Sequence, residues 1–382
     1  MCWLTCFTDE NGRIIAGSGP GKPVSFFTLK HPIGEFAVRG LMATGQASTL
    51  AKPIAIFYEQ QSWFVPLFAE LDARNLNWLR VDARNHHYDP GAAPGYSLVF
   101  NRMSPSAWQR GNGHGIFYTL NYLRYLEKKG VRVVNGARAF AHEISKAVQL
   151  TNLDALGLDY PKARVVNQPS QVMDAAGSIG YPLVVKPNIG GSGAGIERFD
   201  GPDQLRKAVE ENRLSFGMDQ TALVQECFTP RDGVITRVEV LGGKYLYAIR
   251  IRTAGKTYNL CPGDICQSTT GEELERRPGC PVDAAKNGLA VEAYEPPRGV
   301  VNAVERIMHL AGVEVGGAEY VIDDASGRLL YYDVNALSNF VADPERVIGF
   351  NPYARLADFL ISEAHSNEQR KSAQSRLAGA AR

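Results

Sequence analysis

The segment from Tyr181 to Phe199 combines one lysine with a glycine-rich loop. An apolar run ends at Lys186, and a loop follows before a second strand-like run begins. The loop glycines are Gly190, Gly191, Gly193 and Gly195. Without a Cβ, backbone N–H groups can approach phosphate oxygens closely, and the lysine adds a positive charge. The pattern predicts a strand–loop–strand cover over a polyphosphate, with a hairpin that merely has a mobile tip as the alternative.

A second candidate site lies in GAEYVIDDASGRLLYYDVNA, residues 317–336. A three-residue loop closed by Gly327 would place Glu319 directly opposite Asp333, with Asn335 two residues further along the same face. Two opposed carboxylates repel each other, and a divalent cation would remove that cost. Carboxylate and amide oxygens together with substrate phosphates suit Mg²⁺. The sequence therefore predicts a metal site here, with a partly exposed acidic pair as the alternative.

A third segment, TRVEVLGGKYLYAIRIR, predicts a β-hairpin with Gly242 and Gly243 in a two-residue turn. Such a turn pairs Leu241 with Lys244. Strict alternation then assigns two faces. One face would carry Arg237, Glu239, Arg250 and Arg252, and the other Val238, Val240, Tyr245, Tyr247, Ile249 and Ile251. The arginines are either a clamp for phosphate and carboxylate or a solvated face.

Composition excludes several classes of function. The 382 residues carry 41 basic and 40 acidic side chains, so no nucleic-acid or anionic-membrane partner is expected. No apolar run approaches the roughly 20 residues of a membrane span, and no secretory signal is expected. Six cysteines without a CxxC pair suggest free thiols in the cytoplasm. A zinc site at Cys261, Cys266 and Cys280 and a nucleophilic Cys2 remain alternatives.

From Lys52 onward, strands alternate with amphipathic helices, which predicts an α/β fold with a mostly parallel sheet. Strands are expected in PIAIFY, NWLRVDA, YSLVFNR and VRVVNG, with helices at 62–74 and 116–129. Arg102 and Ser104 lie at the C-terminal end of the third strand, where ligands bind in such sheets, and a capped strand-to-loop turn is the alternative. Residues 1–50 stand apart and suggest a hairpin, and residues 366–382 are expected to be disordered.

Taken together, these motifs resemble the ATP-grasp superfamily, and within it the RimK-like alpha-L-glutamate ligases and their glutathione-synthetase-like relatives. The resemblance covers residues 97–345 through FNRMSP, LVVKPNIGGSGAG, LVQECF and DVN. It implies a parallel α/β (pre-ATP-grasp) domain and two α+β subdomains that grip ATP. The implied boundaries are 1–50 for an extension, 51–140 for the first domain, 141–220 and 221–365 for the two subdomains, and 366–382 for a tail. The implied chemistry activates a carboxylate as an acyl phosphate, which an amine attacks.

The resemblance also implies roles for individual residues. Lys146 and Lys186 would face the phosphates under the lid Gly190–Gly195, which includes Ser192. Gln225, Glu226, Cys227 and Phe228 would form the adenine hinge, and Asn259 would lie near the phosphates. Glu319, Asp333 and Asn335 would hold Mg²⁺ or Mn²⁺, and Arg237 and Arg250 would act in catalysis. Departures are Ile235 and Thr257 in place of a family Asp and Arg, Asp333 in place of Glu, and the segment ALSNF at 336–340.

The implied partners are a carboxylate and an amine, each a small molecule or peptide, and homo-oligomerisation is also suggested. A small-molecule kinase and a nucleotide-binding module without turnover are the alternative functions. The complete set of Glu319, Asp333 and Asn335 speaks against the module, which has little need of all three.

Overall fold

The computed structural model describes residues 6–8, 14–16, 50–191, 193–252, 290–337 and 339–380. The chain divides into two compact units, Met1–Ala47 and Ser48–Arg382. In the first unit, β1 (Cys6–Thr8) pairs antiparallel with β2 (Ile14–Ala16). This confirms the hairpin expected near the N-terminus.

The second unit begins with a four-stranded parallel sheet in the order β4–β3–β5–β6. Its strands are β3 (Ile54–Tyr58), β4 (Trp78–Asp82), β5 (Leu98–Arg102) and β6 (Arg132–Val134). Every residue of β3 and β5 is buried, as expected for central strands that are covered on both faces. The parallel α/β domain predicted from the alternation is confirmed.

Four helices lie between or directly after these strands in the chain. They are α1 (Val65–Ala73), α2 (His114–Lys128), α3 (Ala137–Glu143) and α4 (Lys146–Ala155). In α2 the buried Ile116, Thr119, Leu123 and Leu126 recur every three or four residues, so one stripe of the helix faces the sheet. A short 3₁₀ helix, Pro105–Arg110, follows β5. The helix α4 begins where the Ser145 side chain accepts a hydrogen bond from the Val148 N–H.

A four-stranded antiparallel sheet forms the central part, in the order β7–β10–β8–β9. Its strands are β7 (Ala163–Val166), β8 (Leu183–Pro187), β9 (Glu197–Phe199) and β10 (Ala222–Glu226). Two helices pack on it, α5 (Val172–Ile179) and α6 (Pro202–Glu210). The glycine-rich loop joins β8 to β9, so the strand–loop–strand prediction is confirmed.

A five-stranded antiparallel sheet completes the fold, in the order β13–β12–β11–β14–β15. Its strands are β11 (Val234–Leu241), β12 (Lys244–Arg252), β13 (Ala290–Tyr294), β14 (Val315–Ile322) and β15 (Leu329–Asn335). Three helices follow or flank it, α7 (Arg298–Ala311), α8 (Pro344–Ile348) and α9 (Pro352–Ala380). The helix α9 shares a buried core with the parallel sheet and with β12.

The hairpin of β14 and β15 pairs Glu319 with Asp333, as predicted, but by another route. Six residues, not three, separate Ile322 from its partner Leu329. The register then shifts by one at Tyr332, an extra residue in β15, which brings Asp333 opposite Glu319.

The hairpin of β11 and β12 pairs Leu241 with Lys244, also as predicted, but its predicted faces are wrong. Val240 pairs with Tyr245 while Glu239 pairs with Tyr247, so Leu246 is an extra residue. Beyond it the alternation is reversed. Arg237 lies opposite Ile249, whereas Arg250 lies opposite Thr236 and therefore on the other face of the sheet.

The predicted disordered tail is also wrong, because helix α9 continues to Ala380. Its first half buries Leu356, Ala357, Leu360 and Ala364, and this packing holds the start of a helix whose later turns are exposed. Among the helices that the structure describes, none is long and apolar enough to cross a bilayer.

Candidate active site

A cleft of about 990 Å³, counting its open mouth, lies between the central sheet and the five-stranded sheet. Most residues that the sequence assigned to nucleotide or metal line it. These are Lys146, Lys186, Gly190, Gly191, Gly193, Gln225, Glu226, Cys227, Phe228, Glu319, Asp333 and Asn335. Segments that are far apart in the chain thus meet at one site.

Both predicted lysines reach the cleft from elements that are fixed to each other. Lys146 is the first residue of α4, and Lys186 lies near the end of β8. Asn188 joins these elements: its Oδ1 accepts a hydrogen bond from the Ala147 N–H at 2.9 Å. Its Nδ2 donates to Asp219 Oδ2 at 2.6 Å. The start of α4, with Lys146, and the end of β8, with Lys186, are therefore fixed relative to each other.

The glycine loop touches the 3₁₀ helix Pro105–Arg110 of the parallel domain. Gln109 Nε2 donates a hydrogen bond to the Gly191 carbonyl at 2.7 Å. A Cβ on Gly191 would lie 2.5 Å from Ser106 Cβ, which is closer than real atoms approach. The loop can take this position because residue 191 has no side chain.

Replacing Gly191 with alanine is expected to displace the loop from Ser106 and to raise KM for ATP about tenfold, the effect of roughly 1.4 kcal/mol of lost binding. The measurement is ATP-dependent ADP release at varied ATP concentration. Gly177→Ala is the matched control, since a Cβ there meets nothing within 4 Å. An unchanged KM for ATP in Gly191→Ala would show that the loop position is not needed for binding.

The three predicted metal ligands lie together on one face. Glu319 is directly opposite Asp333, and Asn335 Nδ2 donates a hydrogen bond to Asp333 Oδ2 at 2.9 Å. Lys146 Nζ lies 2.9 Å from Asp333 Oδ1. Burial raises the pKa of Asp333, but Lys146, Asn335 and Lys186 outweigh it and hold the pKa below its ordinary value. Two ionisable carboxylates beside an amide are a donor set that fits Mg²⁺.

Glu319 is anchored by a buried ion-pair network. Arg237 Nη1 donates to Glu319 Oε1 at 2.9 Å, and Arg237 Nε donates to Glu239 Oε1 at 2.5 Å. The Tyr332 hydroxyl donates to Glu319 Oε2 at 2.6 Å. Burial raises the pKa of Glu319 although Arg237 lowers it. Burial lowers the pKa of Arg237, and the two carboxylates more than compensate, so this arginine stays charged.

The predicted adenine hinge lies at the end of β10. Two of its backbone groups already have partners, because the N–H groups of Glu226 and Cys227 donate to the carbonyls of Lys162 and Pro182. Gln225 is different: its Oε1 is buried, and no donor to it is found in the part of the chain that the structure describes. An unpaired acceptor on the cleft wall fits the exocyclic amino group of adenine.

Side chains from α3 and α4 hold β15, the edge strand that carries two of the metal ligands. Gln149 Nε2 donates to the Val334 carbonyl at 2.9 Å, and Glu143 Oε2 accepts a hydrogen bond from the Ala336 N–H. Burial raises the pKa of Glu143 to about 7. Burial also lowers the pKa of His142 to about 4, so this neighbouring ring is neutral at pH 7.

Five of the described predicted residues do not line the cleft: Arg237, which holds Glu319, and Arg102, Ser104, Arg250 and Gly195. Arg102 is buried beneath the cleft, where burial lowers its pKa to about 10 and Nη2 donates to Asn339 Oδ1 at 3.0 Å. Ser104 caps the 3₁₀ helix through the Ser106 N–H, which is the capped turn named as the alternative. The Arg250 guanidinium lies 3.6 Å from the centroid of the Tyr294 ring, on the face of the sheet opposite Arg237. Gly195 shapes the loop at a positive φ of 73° and is not a lining residue.

Two assigned residues, Ser192 and Asn259, and the alternatives at Cys2 and Cys261–Cys280 lie outside the described residues. Sequence reasoning missed four residues that shape the cleft: Glu143, Gln149, Asn188 and Tyr332. Glu143 and Gln149 lie three residues on either side of Lys146, which is the one local signal that pointed to them.

The chain is similar in sequence to proteins named as ligases. The family model for the D-ala D-ala ligase C-terminus matches residues 148–261. A D-alanine–D-alanine ligase of Geobacter sulfurreducens is 30% identical over 169 residues, 42% of this chain and 51% of that protein. A probable alpha-L-glutamate ligase of Thioalkalivibrio sulfidiphilus is 28% identical over 255 residues, 64% of this chain and 79% of that protein. The match thus spans about half of the first relative and about four fifths of the second.

Solved structures show the same fold. The ATP-grasp ligase PsnB with its minimal precursor matches with a TM-score of 0.57 at 20% identity, over 82% of this chain and 99% of that chain. An ATP-grasp RimK domain protein from Sphaerobacter thermophilus matches with a TM-score of 0.57 at 18% identity, over 80% and 98%. The chain therefore has the fold of these ATP-grasp ligases. In sequence it is similar to proteins named as probable alpha-L-glutamate ligase and D-alanine–D-alanine ligase.

Proposed function

We propose that the protein is an ATP- and Mg²⁺-dependent carboxylate–amine ligase. The observation that carries this proposal is the meeting of two lysines, a glycine loop and two opposed carboxylates around one cleft. A phosphate chain needs positive charge and backbone donors, and opposed carboxylates need a cation. The relatives named above are amide-forming ligases, and this similarity supports the formation of an amide as the reaction.

In this reaction the γ-phosphoryl group of ATP is transferred to a carboxylate oxygen, which gives ADP and an acyl phosphate. The amine nitrogen then attacks the carbonyl carbon, the C–N bond forms, and the C–O bond to phosphate breaks. Inorganic phosphate leaves with the electron pair, and the amine releases its proton to solvent. One phosphate and one ADP therefore appear for each amide formed.

The chain's own residues would act by positioning and by charge. Lys146 and Lys186 would hold the triphosphate beneath the glycine loop. Gln225 Oε1 would accept a hydrogen bond from the amino group of adenine. Glu319, Asp333 and Asn335 would hold Mg²⁺, which neutralises phosphate charge when bound. Arg237 would keep Glu319 oriented. The substrates would be small molecules or a peptide, because relatives include glutamate ligases and a ligase that was solved with a precursor peptide.

The test is Mg²⁺-dependent ADP release from the purified protein with pairs of carboxylates and amines, beginning with L-glutamate, D-alanine and short peptides ending in glutamate. The expected result is ADP release with a product whose mass equals both substrates minus one water. A product heavier than one substrate by a phosphate would instead establish the kinase alternative. ATP binding without turnover in any pair would favour the non-catalytic module.

A further inference from the structure

Glu143 lines the cleft with a carboxylate that has no role in the reaction proposed above. It is the last residue of α3, is 7% exposed, and lines the cleft. Its Oε2 accepts a hydrogen bond from the N–H of Ala336, the residue after Asn335. Across the described ranges, no side chain forms an ion pair with it and no donor reaches its Oε1. One carboxylate oxygen is thus fixed and the other is available.

The other carboxylates on the cleft wall are each matched by a cation. Asp333 pairs with Lys146, Glu319 with Arg237, and Glu226 with Arg328. Among the lining carboxylates that the structure describes, Glu143 is the exception. A buried carboxylate that forms no direct ion pair is unfavourable, and a cation that binds in contact with it recovers part of that free energy.

The position of Glu143 indicates which substrate group would approach it. The adenine hinge is formed by the end of β10, whereas Glu143 is bonded to the residue that directly follows the metal ligands. The charged groups that face Glu143 are Asp333, Lys146 and Arg237 from the cleft, and Arg102 from beneath it. The carboxylate is therefore connected to the strand that carries two of the metal ligands and not to the adenine hinge, so a group that reacts at the γ-phosphate would come near it.

We propose that Glu143 binds the ammonium group of the acceptor substrate. The inference rests on the ligase function proposed above and adds the residue that would recognise its amine substrate, which carries a positive charge as an ammonium group before it reacts. Glu143 Oε1 accepts a charge-assisted hydrogen bond from the ammonium group, while Oε2 keeps its bond to Ala336. The amine loses one proton to solvent before its nitrogen attacks the acyl phosphate.

The test compares a charged acceptor with an uncharged one in Glu143→Gln. Hydroxylamine is uncharged at neutral pH and traps acyl phosphates as hydroxamates, so it does not need an ammonium site. L-glutamate and D-alanine serve as ammonium-bearing acceptors. Glutamine retains an oxygen that can accept from the Ala336 N–H but removes the negative charge.

The expected result is that hydroxamate formation stays within about threefold of wild type, while KM for the ammonium acceptor rises roughly 10- to 100-fold, the range of a lost charge-assisted hydrogen bond. Glu143→Asp keeps the negative charge, so its KM for the ammonium acceptor is expected to lie between those of wild type and Glu143→Gln. Glu210→Gln on the exposed face of α6 is the matched control and should leave both products unchanged.

Two outcomes would overturn the inference. Equal loss of hydroxamate and amide in Glu143→Gln would place this residue in phosphoryl transfer and not in acceptor binding. An unchanged KM for both ammonium acceptors would remove any role for its charge. Failure of the proposed function looks different, because wild type would then form neither hydroxamate nor amide with ATP and Mg²⁺.

Discussion

Replacing Asp333 with asparagine is expected to lower ADP release by at least about 100-fold, the usual loss when one charged group that stabilises a transition state is removed. The side chain keeps its size but loses the charge that opposes Glu319 and pairs with Lys146. Without that carboxylate Mg²⁺ would be held weakly, and the ion pair between Lys146 and residue 333 would be lost. The measurement is ADP release at saturating ATP and carboxylate over a range of Mg²⁺ concentrations.

The matched control is Asp324→Asn, in the loop of the same hairpin. Asp324 lies 3.6 Å from Arg231, and its side chain is 64% exposed. Its loss should leave turnover within about twofold, because an exposed ion pair contributes little. Full activity of Asp333→Asn at ordinary Mg²⁺ concentrations would contradict the assignment of Asp333 as a metal ligand.

Replacing Arg237 with methionine is expected to reduce the free energy of unfolding by about 3–5 kcal/mol, because two buried carboxylates lose their shared cation. Arg237 bridges Glu239 and Glu319, and all three side chains are buried. The measurement is urea denaturation followed by fluorescence. The matched control is Arg252→Ala on the same sheet, whose pair with Glu292 is half exposed and should contribute at most about 1 kcal/mol.

The decrease in the free energy of unfolding caused by Arg237→Met should also depend on pH. Burial already raises the pKa of Glu319, and removal of Arg237, which lowers it, would raise it further. A carboxyl with a raised pKa binds protons more tightly when folded, so its contribution to stability falls as the pH rises above the pKa of the unfolded chain. The variant should therefore lie closer to wild type at pH 5 than at pH 8. A pH-independent difference would show that the carboxylates are not the cause.

The local patterns in the sequence predicted most elements and failed at two bulges. Short apolar runs that alternate with amphipathic helices predicted β3 and β5, and Gly242 with Gly243 predicted the tight turn. Alternation assumes one residue opposite one residue, and the extra Leu246 breaks that rule, so Arg237 and Arg250 separate. In the hairpin of β14 and β15 the loop is longer than predicted, and Tyr332 is an extra residue in β15. These two differences cancel, so Glu319 still lies opposite Asp333.

The candidate site divides in the same way. Lys186 and the glycine loop are close in sequence, so their spacing alone indicated their chemistry. The role of Glu143 could not be read from its spacing to Lys146 alone, because its hydrogen-bond partner Ala336 lies far away in the chain. Gln225 was named by the resemblance, but its unpaired Oε1 is visible only in the structure. A carboxylate without a cation can be recognised only when the whole wall of the cleft is known.

If the acceptor of the proposed ligase is a peptide, the way β15 is held would also limit how that peptide binds. Gln149 and Glu143 use the outer backbone groups of Val334 and Ala336, and the Tyr331 N–H donates to the Asp159 carbonyl at 3.0 Å. An extended peptide therefore finds no free strand edge beside the metal ligands onto which it could add. Recognition there must come from side chains, which read the chemical identity of the incoming residue and not the general shape of a peptide backbone.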